Sequence, residues 1–173
     1  MTQNNLIPNG DFGTGDFSHW IPRNYDTPMS VVHHNGNYVA RLVGGRNQGQ
    51  NLATDPFPIQ PGAFALTFNV QAPEAVPLQN TKDRRFHITD SGKASNPLVH
   101  AFIVYTLWAT NRSTGEAEIW SGSEYVDPKT RTITLNGMIR PGFEWLDIVF
   151  AIPSNPFGNK GPFFIGNVWL SVV

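Results

Sequence analysis

Hydrophobic and polar residues alternate along several short stretches of the chain, and a period of two is typical of β-strands with one buried face. The clearest example is 64–71, where the apolar side chains fall on one side and small or uncharged polar ones on the other. Similar alternation occurs at 38–43 and 146–152. The residues that these and the C-terminal pattern place in the core are Phe64, Leu66, Phe68, Val70, Ile148, Phe150, Ile152, Val168 and Leu170.

Turn-forming residues separate the apolar stretches throughout. The chain has 16 glycines and 14 prolines, and no stretch between them sustains the spacing of an amphipathic helix. Many short strands joined by turns are typical of an all-β fold, and we predict a two-layer antiparallel β-sandwich of the jelly-roll type. A length of 173 residues suits a single domain over 1–173. Further strands are expected at 29–34, 49–54, 98–109, 117–126, 131–136 and 163–173.

One segment interrupts this pattern. Residues 73–97 are rich in charged side chains and poor in apolar ones, so we expect a long polar loop. A connection of this length is either a solvated loop or a lid over a binding site, and the sequence leaves both interpretations open.

The charge balance excludes several partner classes. With 12 basic and 13 acidic residues the formal net charge is −1, so no basic surface for nucleic acid or anionic lipid is predicted. The absence of cysteine rules out disulfides and thiol chemistry. Neither an export signal nor an apolar stretch long enough to span a membrane is recognisable, and the compartment therefore stays unknown.

The N-terminal region supports a more specific interpretation. Residues 5–20 read NLIPNGDFGTGDFSHW, and this segment resembles the opening of carbohydrate-binding modules of the family 4, 9 and 22 type. The similarity continues at 36–42, 57–62 and 164–170. It implies a galactose-binding-like jelly roll whose concave face or loop end holds an oligosaccharide, and it implies that Trp20 lies in the core.

The resemblance also bears on metal binding. Members of that family usually have acidic residues where this chain has Gly13 and Gly166, at a structural calcium site. Calcium prefers six to eight oxygen ligands, carboxylates among them, so we expect calcium to be absent or weakly bound and predict no other cofactor. Asp11, Asp16 and Asn167 remain nearby, where turn chemistry explains them as well.

Exposed aromatic rings are the usual platforms for neutral sugars. Within 98–109, turning Leu107 inward turns Phe102 and Trp108 outward. If this strand shared a sheet with 64–71, the polar side chains of 64–71 would lie on the same surface. The predicted carbohydrate-binding residues are therefore Trp108, Phe102, Thr67, Asn69 and Gln71. A strand buried on both faces is the competing interpretation, with Trp120, Trp145 and Trp169 as the next candidates.

Signals for catalysis or a metal centre are weak. His33 and His34 are adjacent, so in a strand their rings point to opposite faces. Glu116 and Glu118 would share a strand face, as the paired carboxylates of glycosidases require, but the preceding Thr114-Gly115 turn indicates a hairpin end. No common catalytic motif occurs, so no catalytic residue is predicted.

Three functions are compatible with these patterns. The first is a non-catalytic, lectin-like module that binds a neutral oligosaccharide or polysaccharide. The second is a protein- or receptor-binding component of a toxin, phage tail or cell-surface complex with the same fold. The third is a small glycan-active enzyme, which the carboxylate positions favour least.

Overall fold

The computed structural model describes residues 4–23, 28–43, 49–74, 101–152 and 162–173. These residues form two antiparallel β-sheets and contain no helix, so the two-layer β-sandwich predicted from the alternation is confirmed. No helix in these ranges could cross a membrane. Most of the predicted loop, from 75 to 97, lies outside the described residues.

Sheet A has six strands. Five are hydrogen-bonded in the order β1-β4-β10-β7-β8, and the short β5 pairs with β10. Its strands are β1 (Trp20–Arg23), β4 (Gln50–Thr54), β5 (Phe57–Pro58), β7 (Ala101–Thr110), β8 (Ala117–Val126) and β10 (Trp145–Ile152).

Sheet B has five strands in the order β2-β3-β11-β6-β9. Its strands are β2 (Ser30–His34), β3 (Asn37–Val43), β6 (Gly62–Gln71), β9 (Arg131–Ile139) and β11 (Pro162–Val172). Strand β11 is therefore central, and β6 is paired along both edges, with β11 and with β9.

The core lies between the two sheets and consists of the residues that the alternation selects. All nine predicted core side chains are buried. Phe68 of β6 joins the layers, because its ring centroid lies 5.1 Å from that of Tyr105 and 4.8 Å from that of Phe150 on sheet A. Aromatic contacts in this range add to the free energy gained by burying the rings.

The N-terminal segment closes one edge of the core. Trp20 is buried, its ring lies 5.1 Å from that of Phe12, and its Nε1 donates a hydrogen bond to the carbonyl oxygen of Asn9 at 3.0 Å. Val168 of β11 in turn donates its backbone N–H to the carbonyl of Gly10 at 2.8 Å. The placement of Trp20 in the core is confirmed.

One expectation about the layers is wrong. The predicted combined surface required 98–109 to share a sheet with 64–71, but β7 belongs to sheet A and β6 to sheet B. The physical reason is that β9 and β11 satisfy both hydrogen-bonding edges of β6, while β8 and β10 satisfy both edges of β7. The outward side chains of the two strands therefore face opposite sides of the molecule.

Candidate functional site

An exposed tryptophan stands on the outer face of sheet A, near the C-terminal end of β7. Trp108 of β7 is 38% exposed. Its direct cross-strand partners are Ile119 of β8 and Asp147 of β10, and directly paired residues project from the same face. Ile119 is 53% exposed. An indole, an aliphatic side chain and a carboxylate therefore form one row across three strands.

A second indole lies beside this row. Trp145 precedes Asp147 by two positions on β10 and so projects from the same face. The guanidinium carbon of Arg112 lies 3.5 Å from the Trp145 ring centroid, in the geometry of a cation–π contact. Arg112 sits in the β7–β8 hairpin, where Asn111 Oδ1 accepts hydrogen bonds from the backbone N–H groups of Ser113 and Thr114. The tight turn thus positions Arg112 over the ring.

Two more aromatic side chains stand at the other end of the same strands. Phe102 of β7 is paired with Tyr125 of β8, and their ring centroids are 5.3 Å apart. Phe102 lies six residues from Trp108 along β7, which is about 20 Å at the rise of a β-strand.

Small side chains fill the surface between these aromatic ends. The register places them in rows that cross the strands, as the Trp108 row does. They are Ala53 of β4, Val104 and Thr106 of β7, Ser121 and Ser123 of β8, and Val149 and Ala151 of β10. These small residues lie between the large aromatic ones on the outer face of sheet A, and this surface is called the trough below.

The trough contains a perturbed carboxyl group. Partial burial raises the pKa of Asp147 above its usual value, although the positive charge of Arg23 on β1 acts in the opposite direction. The desolvation effect is the larger one, because removing a carboxylate from water disfavours its charged form. Asp147 is thus a hydrogen-bonding group fixed beside an exposed ring, with part of its hydration already lost.

The predicted binding residues separate into two groups. Trp108 and Phe102 lie on the outer face of sheet A, whereas Thr67, Asn69 and Gln71 project from the outer face of sheet B. The single combined surface that they were predicted to form does not exist in this fold. Two of the polar side chains have partners: Asn69 Oδ1 accepts from Thr132 at 2.8 Å, and Gln71 Nε2 donates to the carbonyl of Pro128 at 2.7 Å.

A small depression adjoins these polar residues on sheet B. His34 stacks on Phe164 with ring centroids 4.2 Å apart, and its Nε2 lies 2.9 Å from Gln71 Oε1. Together with Asn69 and Gly166 these side chains line a cavity of about 70 Å³. Pockets for small organic ligands usually measure roughly 300–1,000 Å³, so this depression can hold only part of a sugar ring.

The weak catalytic and metal motifs occupy structural positions. The His33 ring contacts Tyr38, whereas His34 turns toward Phe164, so the two rings diverge as predicted. Glu118 pairs with Arg140, and Glu116 lies in the β7–β8 hairpin.

The residues at the expected calcium site do not fit that ion well. Asp11 Oδ1 accepts the N–H of Gly13 at 3.0 Å, and hydrogen bonds from Ser18 and Thr14 lower the pKa of Asp16 to about 2. These carboxylates are engaged in local turns. A Cβ atom at Gly166 would approach Val39 Cγ1 to 2.9 Å, so an acidic side chain there requires the Val39 side chain to move. Within the described ranges, no group of three or more candidate metal ligands occurs.

Among the members of the trough that sequence reasoning missed are Tyr125, Ile119 and Asp147. Tyr125 and Ile119 would have followed from the turn at 111–116, because a short hairpin fixes which residues of β7 and β8 face each other. Asp147 alternates with buried neighbours in β10 and was therefore predictable as outward-facing. No local pattern, however, indicates that β10 pairs with β7.

Comparisons with known proteins extend the fold assignment. No protein-family model matches the sequence, and no curated protein matches it. Solved structures do match. The chain is similar to a part of the bacteriophage CBA120 tailspike protein 4 enzymatically active domain, with 16% identity and a TM-score of 0.67 over 98% of this chain. It spans 21% of that protein.

Two further matches are to solved single modules of about the same size as this chain. TmCBM61, solved with β-1,4-galactotriose, is 13% identical with a TM-score of 0.59, and the match covers 98% of this chain and 99% of that one. The CBM22-2 xylan-binding domain from Paenibacillus barcinonensis Xyn10C is 15% identical with a TM-score of 0.59, over 95% and 98% of the two chains. The chain therefore shares its antiparallel β-sandwich fold with these modules.

Proposed function

We propose that the protein is a non-catalytic carbohydrate-binding module and that the trough on sheet A holds the glycan. The observation that carries this proposal is the row formed by Trp108, Ile119 and Asp147. A flat exposed indole packs against the apolar face of a pyranose, while a carboxylate beside it accepts hydrogen bonds from the hydroxyl groups. The row therefore places a stacking ring and a hydrogen-bond acceptor on adjacent strands.

A neutral glycan fits this surface best. Its floor carries hydroxyl groups from Thr106, Ser121 and Ser123 and small apolar side chains, which suit an uncharged partner. An open trough also suits an extended chain, because a polymer can enter from either side. The matched modules support this class of ligand, since their names specify galactotriose and xylan.

The arrangement of carboxylates favours binding over hydrolysis. Glycosidases use a pair of carboxyl groups roughly 5–9.5 Å apart on either side of the bond that is cleaved. Among the described residues that line the trough, Asp147 is the only carboxylate. Some matched structures are parts of enzymes, including a GH10 xylanase chain of which this fold covers 29%. In this proposal, any catalytic partner is a separate domain.

A protein- or receptor-binding role is the second candidate. The observation in its favour is the match to a tailspike protein, in which this fold is one part of a much larger chain. The exposed aliphatic and aromatic side chains of the trough would also suit a protein partner. The two candidates differ in whether isolated oligosaccharides bind.

The test is an array of neutral oligosaccharides that includes β-1,4-galactotriose and xylohexaose, followed by titration calorimetry with the strongest ligand. Trp108→Ala should weaken binding by at least about tenfold, since truncating a central aromatic anchor costs about 1.4 kcal/mol or more. Tyr38→Ala is the matched control, because Tyr38 is also an exposed aromatic residue but lies outside the trough. It should bind like the wild type.

Two results would contradict the proposal. If wild-type protein binds no neutral oligosaccharide, carbohydrate binding is wrong and the protein-binding candidate becomes the better one. If Trp108→Ala binds as tightly as the wild type, the protein binds glycan but the trough is not the site.

A further inference from the structure

The outer face of sheet B carries an exposed tryptophan of its own. Trp169 is 41% exposed and lies on β11, the central strand of the sheet. Because the ring lies on the outer face of the sheet, it does not pack into the core between the two sheets. The outward orientation of its side chain depends on an irregularity of the strand.

A β-bulge determines that Trp169 faces outward. The register between β11 and β6 shifts between Gly166 and Trp169, and Asn167 adopts a positive φ of 49°. Ile165 and Val168 are both fully buried, although strict alternation would put them on opposite faces. The extra residue resets the phase, so that Trp169 projects outward between buried neighbours. Bulges commonly redirect a side chain next to a functional site.

Uncharged polar groups surround the ring. Trp169 is paired with Thr67 of β6, and Thr67 is paired with Thr134 of β9. The next row contains Asn69 and Thr132, and it borders the 70 Å³ depression, which Gly166 and Asn167 also line. None of the side chains in these two rows carries a charge.

We propose that this face is a second binding surface for a neutral sugar, with Trp169 as the stacking ring and Thr67, Thr134 and Asn69 as the hydrogen-bonding groups. The depression holds one exocyclic group of the sugar, because its volume is larger than the volume that about two water molecules occupy in the liquid. These two rows carry no charged side chain, which favours a neutral glycan over nucleic acid or an acidic polysaccharide. This inference relies on the proposed function only in taking the ligand to be a glycan.

Two sites on opposite sheets make the protein bivalent. Stacked sheets lie about 10 Å apart with their outer faces pointing away from each other, so one glycan chain cannot lie flat on both faces. The protein therefore links two chains of a polysaccharide. Linking raises the overall affinity for a surface that displays many chains above the affinity for a single oligosaccharide.

The test uses the neutral-oligosaccharide array and calorimetry on four proteins: wild type, Trp108→Ala, Trp169→Ala and the double variant. The wild type should bind two ligand molecules per chain, each single variant should bind one, and the double variant should bind none. Met138→Ala is the matched control, because Met138 is 59% exposed on the same face but lies four residues along β9 from Thr134. It should behave like the wild type.

A second variant tests the same site in case Trp169→Ala does not fold. Thr67→Val removes one hydroxyl while keeping a β-branched side chain, and it should weaken only the second site, by several-fold. The inference is overturned if the wild type binds one ligand and Trp108→Ala alone abolishes binding, a result that leaves the proposed function intact. If the wild type binds no member of the array, both the inference and the proposed function fail.

Discussion

Asp147 is the residue at which stability and function are expected to conflict. Its carboxyl group is partly buried beside Trp108, and this burial raises its pKa. A raised pKa means that ionisation costs more in the folded protein than in the unfolded chain. The stability of the fold therefore decreases as the pH rises from the carboxyl group's unfolded pKa through its higher folded pKa, and it stays lower above that range.

We predict that Asp147→Asn stabilises the protein at neutral pH and weakens glycan binding. The amide has a similar shape but no charge to desolvate, so its thermal midpoint should exceed that of the wild type, and the difference should disappear at acidic pH. Binding should weaken because a carboxylate accepts stronger hydrogen bonds than an amide oxygen. Thermal unfolding across pH and calorimetry at pH 7 measure the two effects.

Asp127→Asn is a useful control for that substitution, since the residue lies in the turn after β8 and outside the trough. It should leave glycan affinity unchanged. A variant of Asp147 that is stabilised but binds normally would show that the carboxylate does not contact the glycan. Destabilisation at neutral pH would contradict the electrostatic argument itself.

Two aromatic residues distinguish a core role from a surface role. Phe68→Ala should cost about 3–5 kcal/mol in the free energy of unfolding, because this fully buried ring joins both sheets. Trp108→Ala should cost much less, because the indole is one of the large exposed hydrophobic side chains. Urea denaturation of the two variants measures the difference. Equal losses of stability would indicate that Trp108 is a core residue.

At the scale of elements, the N-terminal segment before β1 is held by contacts made within the chain. Asn5 Nδ2 donates to the carbonyl of Val168 at 2.8 Å, and its Oδ1 accepts the N–H of Leu170 at 3.0 Å. These two hydrogen bonds attach the segment to β11.

We therefore predict that a chelator leaves the thermal midpoint unchanged and that added calcium raises it little. A tightly bound ion would stabilise the folded state by mass action, and its removal would lower the midpoint. Differential scanning calorimetry with EDTA and with calcium chloride tests this expectation. A large loss of stability in EDTA would contradict it.

Alternation along single strands predicted the faces correctly but not the sheets. The period of two correctly placed Phe64, Leu66 and Phe68 in the core and turned Trp108 outward, because burial repeats every second residue. Which strands become neighbours depends on contacts between distant segments, such as β10 with β7. For that reason Trp108 and Asn69 were assigned to one surface, although they lie on opposite faces.

The bulge in β11 illustrates a second limit of the pattern. The extra residue at 166–167 has no sequence signal of its own beyond Gly166 and Asn167, both of which tolerate unusual backbone conformations. Trp169 was nevertheless recognisable as outward-facing, because Val168 and Leu170 define the local phase. Its polar neighbours on β6 and β9 became evident only from the register.

At the scale of the whole molecule, the sandwich exposes two faces with different chemistry. Sheet A offers a trough with aromatic ends and one carboxylate, whereas sheet B offers an isolated indole among uncharged polar groups. The chain has its fold in common with modules of low sequence identity. The fold alone does not determine which side chains lie on either outer face. Ligand choice therefore depends on the side chains of these faces.

The most direct test of the central claim is to map backbone amide chemical-shift changes by NMR during titration with the strongest ligand from the array. The account predicts that the largest changes cluster in β7, β8 and β10 around Trp108, Ile119 and Asp147, with weaker changes around Trp169 at higher ligand concentration. Changes confined to the loops at the sandwich ends, with β7, β8 and β10 unaffected, would contradict the assignment of the trough as the glycan-binding site.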